Sequence, residues 1–238
     1  MISNQIFERT ELKYLLTNEQ KDIVLNAIKP YMSIDQYGHT IIRNIYYDTP
    51  SYQLIRSSIE KPIYKEKLRI RSYQSVDDIN LVYVELKKKY KGTVYKRRIG
   101  MSKLEATDYL SGNGPSPIEN QISHEIDYFM GYYKDLSPKV FLCYERDAYF
   151  TIEPSDFRIT FDNNIMYRTT DLDLKYEPYG KQILDKNLTL MEIKTSEAVP
   201  LYLTKVLSDA KIYKTSYSKY GNAYIDMNTQ HGYESEEI

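Results

Sequence analysis

A chain of 238 residues with 42% hydrophobic content is long enough to bury a sizeable core. Its 32 Lys and Arg against 33 Asp and Glu leave a formal net charge of -1, which gives no global pull toward nucleic acid or membrane, so an anion site has to come from local sorting of charge. The single Cys143 can form no internal disulfide, and His39, His124 and His231 have no Cys or His neighbour at ligand spacing, which argues against a zinc centre.

The N-terminal MISNQIFERTELKYLL carries Glu8, Arg9, Glu11 and Lys13 where a signal peptide needs an apolar run. No window reaches the roughly 18 apolar residues of a membrane span, so a soluble cytoplasmic protein is expected. IFERTELKYLL alternates as a strand, and Thr17-Asn-Glu-Gln20 is a capping box that opens a helix to about Tyr31. A β-branched and aromatic strand follows at 40–48, after which Thr49 and Pro50 are expected to cap and open a short helix. Strands at 64–74, 80–90 and 93–100 have hairpin spacing, with Gly92 in the second turn. Ser102-Lys-Leu-Glu105 is a second capping box for a helix at 103–111, and a further helix is expected at about 118–133. Strands return at 139–151, 157–166 and 188–195, Pro200 opens a helix to about Lys211, and the acidic tail, 226–238, is expected to be disordered.

About eight antiparallel strands with inserted helices indicate an α+β fold, and the count suits a closed eight-stranded antiparallel barrel occupying residues 1–225. YKEKLRIRSY sets the phase of the strands. Lys65, Lys67, Arg69 and Arg71 share one face, opposite Leu68 and Ile70. The matching faces elsewhere carry Arg9, Glu11 and Lys13; Glu85, Lys87 and Lys89; Lys96 and Arg98; Arg146; Arg158 and Asp162; and Glu192 and Lys194. Cations dominate these faces in a nearly neutral protein. A solvated sheet face normally mixes signs, because like charges directly opposite one another are unfavourable. Cations enclosed by a barrel need an anion or water, so the pattern points to a hydrated tunnel for phosphate. G-x-x-x-x-G-K-[ST] is absent, which excludes a P-loop. Glu192, helped by Glu11, is a candidate to hold Mg²⁺ or Mn²⁺ against a phosphate chain, since these ions take one or two carboxylates plus substrate oxygens.

RTELKY (9–14), IYYDT (45–49), LRIRSY (68–73), VYVELK (82–87), YERDAYF (144–150), RITFD (158–162), MEIKTS (191–196) and SKYGNA (218–223) resemble, in order and spacing, the VTC domain of vacuolar-transporter-chaperone polyphosphate polymerases. These belong with the CYTH and triphosphate tunnel metalloenzymes. The resemblance implies a tunnel in which the γ-phosphate of ATP, with a divalent metal (Mn or Mg), is added to a growing polyphosphate chain. Carried over, the phosphate-binding residues are Lys13, Arg69, Arg71, Lys87, Arg146, Arg158 and Lys194, the metal ligand is Glu192, and Ser218 and Lys219 match the family's serine-lysine pair. Lys96 and Arg98, on the same face, are further candidates for the substrate.

Two departures bear on activity. Ser216 stands where the polymerases have a lysine, with Lys214 nearby as a candidate substitute, and Arg9 stands where CYTH triphosphatases have the first glutamate of E-x-E-x-K. The second departure favours polymerisation over hydrolysis of triphosphate or nucleoside triphosphates. A catalytically silent polyanion-binding module is the reading from another class. ATP and polyphosphate or pyrophosphate are the expected partners, nucleic acid and membrane insertion are not expected, and a membrane-protein partner is left open. The family's membrane-anchoring and inositol-phosphate-sensing parts have no counterpart in these residues, so product translocation by this chain is not expected.

Overall fold

The computed structural model describes residues 10–91 and 93–234, with side chains as far as Thr229. Arg9 and Gly92 lie outside the described residues, as does 235–238. The fold is α+β, with strands β1 (Thr10–Thr17), β2 (Met32–Asp48), β3 (Tyr64–Ser72), β4 (Leu81–Tyr90), β5 (Thr93–Ser102), β6 (Ser137–Thr151), β7 (Arg158–Arg168), β8 (Lys181–Gln182), β9 (Leu188–Thr195) and β10 (Lys214–Thr215). The helices are α1 (Asn18–Ile28), α2 (Gln53–Ile59), α3 (Lys103–Leu110), α4 (Gln121–Tyr132), α5 (Leu201–Asp209) and α6 (Lys219–Glu234). Among the described residues no helix is long and apolar enough to cross a membrane.

Strand pairing corrects the closed eight-stranded barrel. The order runs β10-β1-β9-β7-β6-β2-β3-β4-β5, an open path of nine strands whose ends do not pair among the described residues, and β8 beside β7 is the tenth strand of the sheet. All eight expected strands are present. The two additional ones are two-residue bridges, too short to leave an alternation in the sequence.

Thr49 and Pro50 are not the N-cap and first residue of α2, which begins at Gln53, but Thr49 Oγ1 accepts from Gln53 N at 2.9 Å. The chain turns first through Tyr52 at φ 56°, and the buried Asp48 carboxylate accepts from the Thr49, Leu54 and Ile55 amides at 2.8, 2.9 and 3.0 Å. A carboxylate that satisfies several helix-start amides does the work of a conventional N-cap. Helix α6 follows the last strand and continues past Asp226 to Glu234. Its anchor is Tyr220, 2% exposed, which stacks on Tyr46 at 4.5 Å and donates to Asp48 at 3.0 Å.

Contacts divide the chain into two compact units. The first comprises 1–40, 145–164 and 184–217. Here Tyr14, Ile159, Phe161, Met191 and Ile193 form the apolar strand face, covered by Val24 and Ile28 of α1 and by Leu203 and Leu207 of α5. The capping box expected at Thr17 and Gln20 is formed. The second unit comprises 41–144, 165–183 and 218–238. Ile45, Leu68, Ile70, Val84, Leu86 and Ile99 form its apolar face, covered by Ala106, Tyr109 and Leu110 of α3 and Ile126 and Phe129 of α4. In each unit the helices take the apolar side of the strands, which leaves the alternate residues to make a polar face.

Candidate functional site

The fourteen candidate residues divide seven and seven between the units: Glu11, Lys13, Arg146, Arg158, Glu192, Lys194 and Lys214 in the first; Arg69, Arg71, Lys87, Lys96, Arg98, Ser218 and Lys219 in the second.

In the second unit, register turns the alternation of β3 into rows across the sheet. Tyr46, Arg69, Glu85 and Arg98 stand opposite one another in turn, as do Asn44, Arg71 and Tyr83, and then Lys67, Lys87 and Lys96. The first row is organised by Glu85, which is 1% exposed. Its Oε2 accepts from Arg69 Nε and Nη2 at 3.0 and 2.7 Å, its Oε1 accepts from Arg98 Nε at 2.7 Å and lies 2.7 Å from Lys96 Nζ, and Arg71 Nε is 3.9 Å away. Burial would raise this carboxyl, but Arg69, Arg71 and Lys96 hold it far below the usual carboxylate range. Desolvation among its neighbours also lowers Lys96, to about 7, against the pull of Glu85, while 41% of its side chain stays exposed to water. Arg71 is aimed by neutral partners: it donates to Asn44 Oδ1 at 2.9 Å and to the Tyr144 hydroxyl at 3.1 Å.

The third row places three lysines side by side on neighbouring strands. Lys67 Nζ donates to Ser218 Oγ at 3.1 Å, and the same hydroxyl caps α6 by accepting from Gly221 N at 3.1 Å. The approach is close: a Cβ at residue 221 would lie 3.1 Å from the Ser218 side chain, which would have to give by a few tenths of an ångström. Lys219 packs over the Tyr144 ring at 4.5 Å.

In the first unit, Glu11, Lys194 and Arg158 make one row and Lys13, Glu192 and Thr160 the next. Glu192, 5% exposed, has Lys13 Nζ 3.3 Å from one oxygen, and Lys194 Nζ and Arg146 Nη2 at 3.5 and 3.6 Å from the other. Arg146 makes a shorter, bidentate pair with the fully buried Asp162, both bonds 2.6 Å. Arg158 lies over the Phe150 ring at 4.6 Å. Lys214 does not join this group: it pairs with Tyr14, whose side chain belongs to the apolar core, whereas Lys13 pairs with Thr215.

Among the described residues no three His, Cys, Asp or Glu side chains cluster as a metal cage. Glu192 and Glu11 instead converge on one ammonium, Lys13 Nζ, at 3.3 and 3.6 Å. Two carboxylates directed at one cation fit the protein share of a Mg²⁺ or Mn²⁺ whose other ligands are phosphate oxygens and water.

Sequence reasoning put Glu85, Asp162 and Lys67 on the polar faces but gave them no role, and it passed over Asn44, Tyr46, Tyr144 and Thr160. The signal for Glu85 was its place in VYVELK, one face-step from Lys87; the tyrosines, being common strand residues, carried none.

The VTC domain family model matches residues 8–228. No curated protein matches the chain. Among solved structures, a candidate adenylate cyclase from Bacillus halodurans is 16% identical with a TM-score of 0.54, covering 89% of this chain and 95% of that one. One from Vibrio parahaemolyticus is 15% identical with a TM-score of 0.52, covering 92% and 99%. A candidate adenylyl cyclase from Hippeastrum, described as having a dominant triphosphatase activity, is 15% identical with a TM-score of 0.53, covering 88% and 92%. At these identities the likeness is one of fold alone. With the family model spanning nearly its whole length, the chain belongs to the VTC domain family.

Proposed function

We propose that this protein is a metal-dependent phosphotransferase that moves the γ-phosphate of ATP onto a growing polyphosphate chain. The observation that carries the reading is the row Lys67–Lys87–Lys96, like charges set opposite one another beside an arginine row that shares a single carboxylate. Cations that outnumber the carboxylate among them make a face suited to a polyanion. Arg69, Arg71, Lys87, Lys96 and Arg98, with Ser218 and Lys219, bind phosphate oxygens in this reading. Lys13, Arg146, Arg158 and Lys194 neutralise phosphate near Glu192. A terminal phosphate oxygen of the chain attacks the γ-phosphorus, the bond to the β-bridging oxygen breaks, and ADP leaves. Such chemistry asks for positioning and charge neutralisation rather than a protein nucleophile. Glu192 with Glu11 would hold the divalent metal, which supplies charge neutralisation at phosphate oxygens.

Hydrolysis of triphosphate or nucleoside triphosphates by the same residues is the second reading, favoured by the fold shared with the Hippeastrum protein and its described triphosphatase activity. Incubation of purified protein with ATP and Mn²⁺, followed by separation of long polyphosphate from free phosphate, decides between them. Long chains and ADP support the polymerase, free phosphate alone supports the hydrolase, and neither product leaves a silent polyanion-binding module.

A further inference from the structure

Thr160 is fully buried on β7, directly opposite Glu192 of β9. Residues so paired share a face, with Cβ atoms about 4.5–5.5 Å apart. Its Oγ1 is buried and has no hydrogen-bond partner among the described residues. An idle buried hydroxyl is a standing cost that packing does not explain, because valine fills the same space without it. The cations that now surround Glu192, namely Lys13, Arg146 and Lys194 at 3.3–3.6 Å, are the same ones that the proposed function gives to phosphate. A carboxylate only 5% exposed cannot yield its counter-charges without another donor to replace them.

We propose that Thr160 is a positioning residue for Glu192: its hydroxyl donates to the Glu192 carboxylate when bound phosphate draws these cations toward itself. The inference rests on the phosphate reading above. It also makes the protein's resting and loaded states differ at one hydrogen bond, and so predicts opposite effects on stability and on binding.

The test compares Thr160→Val and Thr160→Ser with the parent protein by calorimetric titration with pyrophosphate, alone and with Mn²⁺, and by melting temperature. Expected for Thr160→Val is an unchanged or higher melting temperature together with pyrophosphate affinity weakened roughly tenfold or more, the scale of one hydrogen bond to a charged group. Thr160→Ser should restore affinity to within about twofold. A valine variant that binds like the parent, a serine variant as weak as the valine one, or a valine variant that melts lower would each overturn the role. A parent protein that binds no pyrophosphate overturns the phosphate reading itself, and this inference with it.

Discussion

The polar faces of the two units solve the same electrostatic problem with different ratios of charge. In the second unit Arg69, Arg71, Lys96 and Arg98 approach the single buried carboxylate of Glu85, the nearest at 2.7 Å or less. In the first, Lys13, Arg146 and Lys194 approach Glu192, and Arg146 is in addition tied by Asp162. One face has cations in excess and the other is close to balance. An excess binds anions in the ground state; a near-balanced group around a carboxylate changes its charge sharply when a metal or phosphate arrives. In the proposed function this contrast corresponds to a division of labour between holding a phosphate chain and reacting at one end of it.

Substitutions can break that contrast at its strongest point first. Asp162→Asn removes the bidentate partner of Arg146 in a fully buried site, and should cost about 3–5 kcal/mol of unfolding free energy, read by denaturant titration. A loss below about 1 kcal/mol would mean that the pair is not structural. Arg71→Ala, on the cation-rich face, should cost about 2.7–4 kcal/mol of transition-state stabilisation, measured as kcat/KM for ATP.

Glu192→Gln should lower ATP turnover on the order of a hundredfold or more. Affinity for polyphosphate without metal should hold or rise, because a negative charge has left the basic face. Equal loss of both would erase the division between binding and chemistry.

A gentler probe is pH. Lys96 is lowered to about 7 by desolvation, whereas an unfolded lysine titrates near about 10.4. Between those values the unfolded chain binds more protons, so this group's contribution to stability rises with pH across that window. Pyrophosphate affinity should run the other way, falling as pH rises through about 7 and the ammonium is lost. Lys96→Met should flatten that part of the profile. The smallest effect is expected at Lys88, which leaves the polar face and pairs with Glu125 of α4 at 3.1 Å. Lys88→Ala should change stability by about 0–1 kcal/mol and leave turnover as it was.

Much of this was readable before any coordinates, and for a simple reason. A period of two in Leu68-Arg69-Ile70-Arg71 fixes which side chains share a face, and the prolonged alternation in eight strands is long enough to be seen. Phase fails where the element is too short. Lys214 sits in a two-residue bridge, so nothing in its neighbours shows that it pairs with Tyr14. Helix α6 was missed because Gly221, Asn222 and Asn228 are weak helix formers; burial of Tyr220 and Ala223 overrides that preference. The role of Glu85 depends on three strands meeting in one register, and Thr160 is notable only for a partner it lacks among the described residues. Neither property belongs to a residue's own stretch of sequence.

The hub at Glu85 has a consequence for how this protein tolerates change. Because Arg69, Arg98 and Lys96 lean on the same two oxygens, removing any one lets the others redistribute, and the measured loss belongs to the set. Pairwise substitutions among them should depart from additivity by about 0.5–3 kcal/mol, whereas pairs drawn from Lys88 and any one of them should add. A lineage crossing this region is therefore constrained in the order of its steps: the same replacement can be harmful before a neighbour has changed and nearly silent after it.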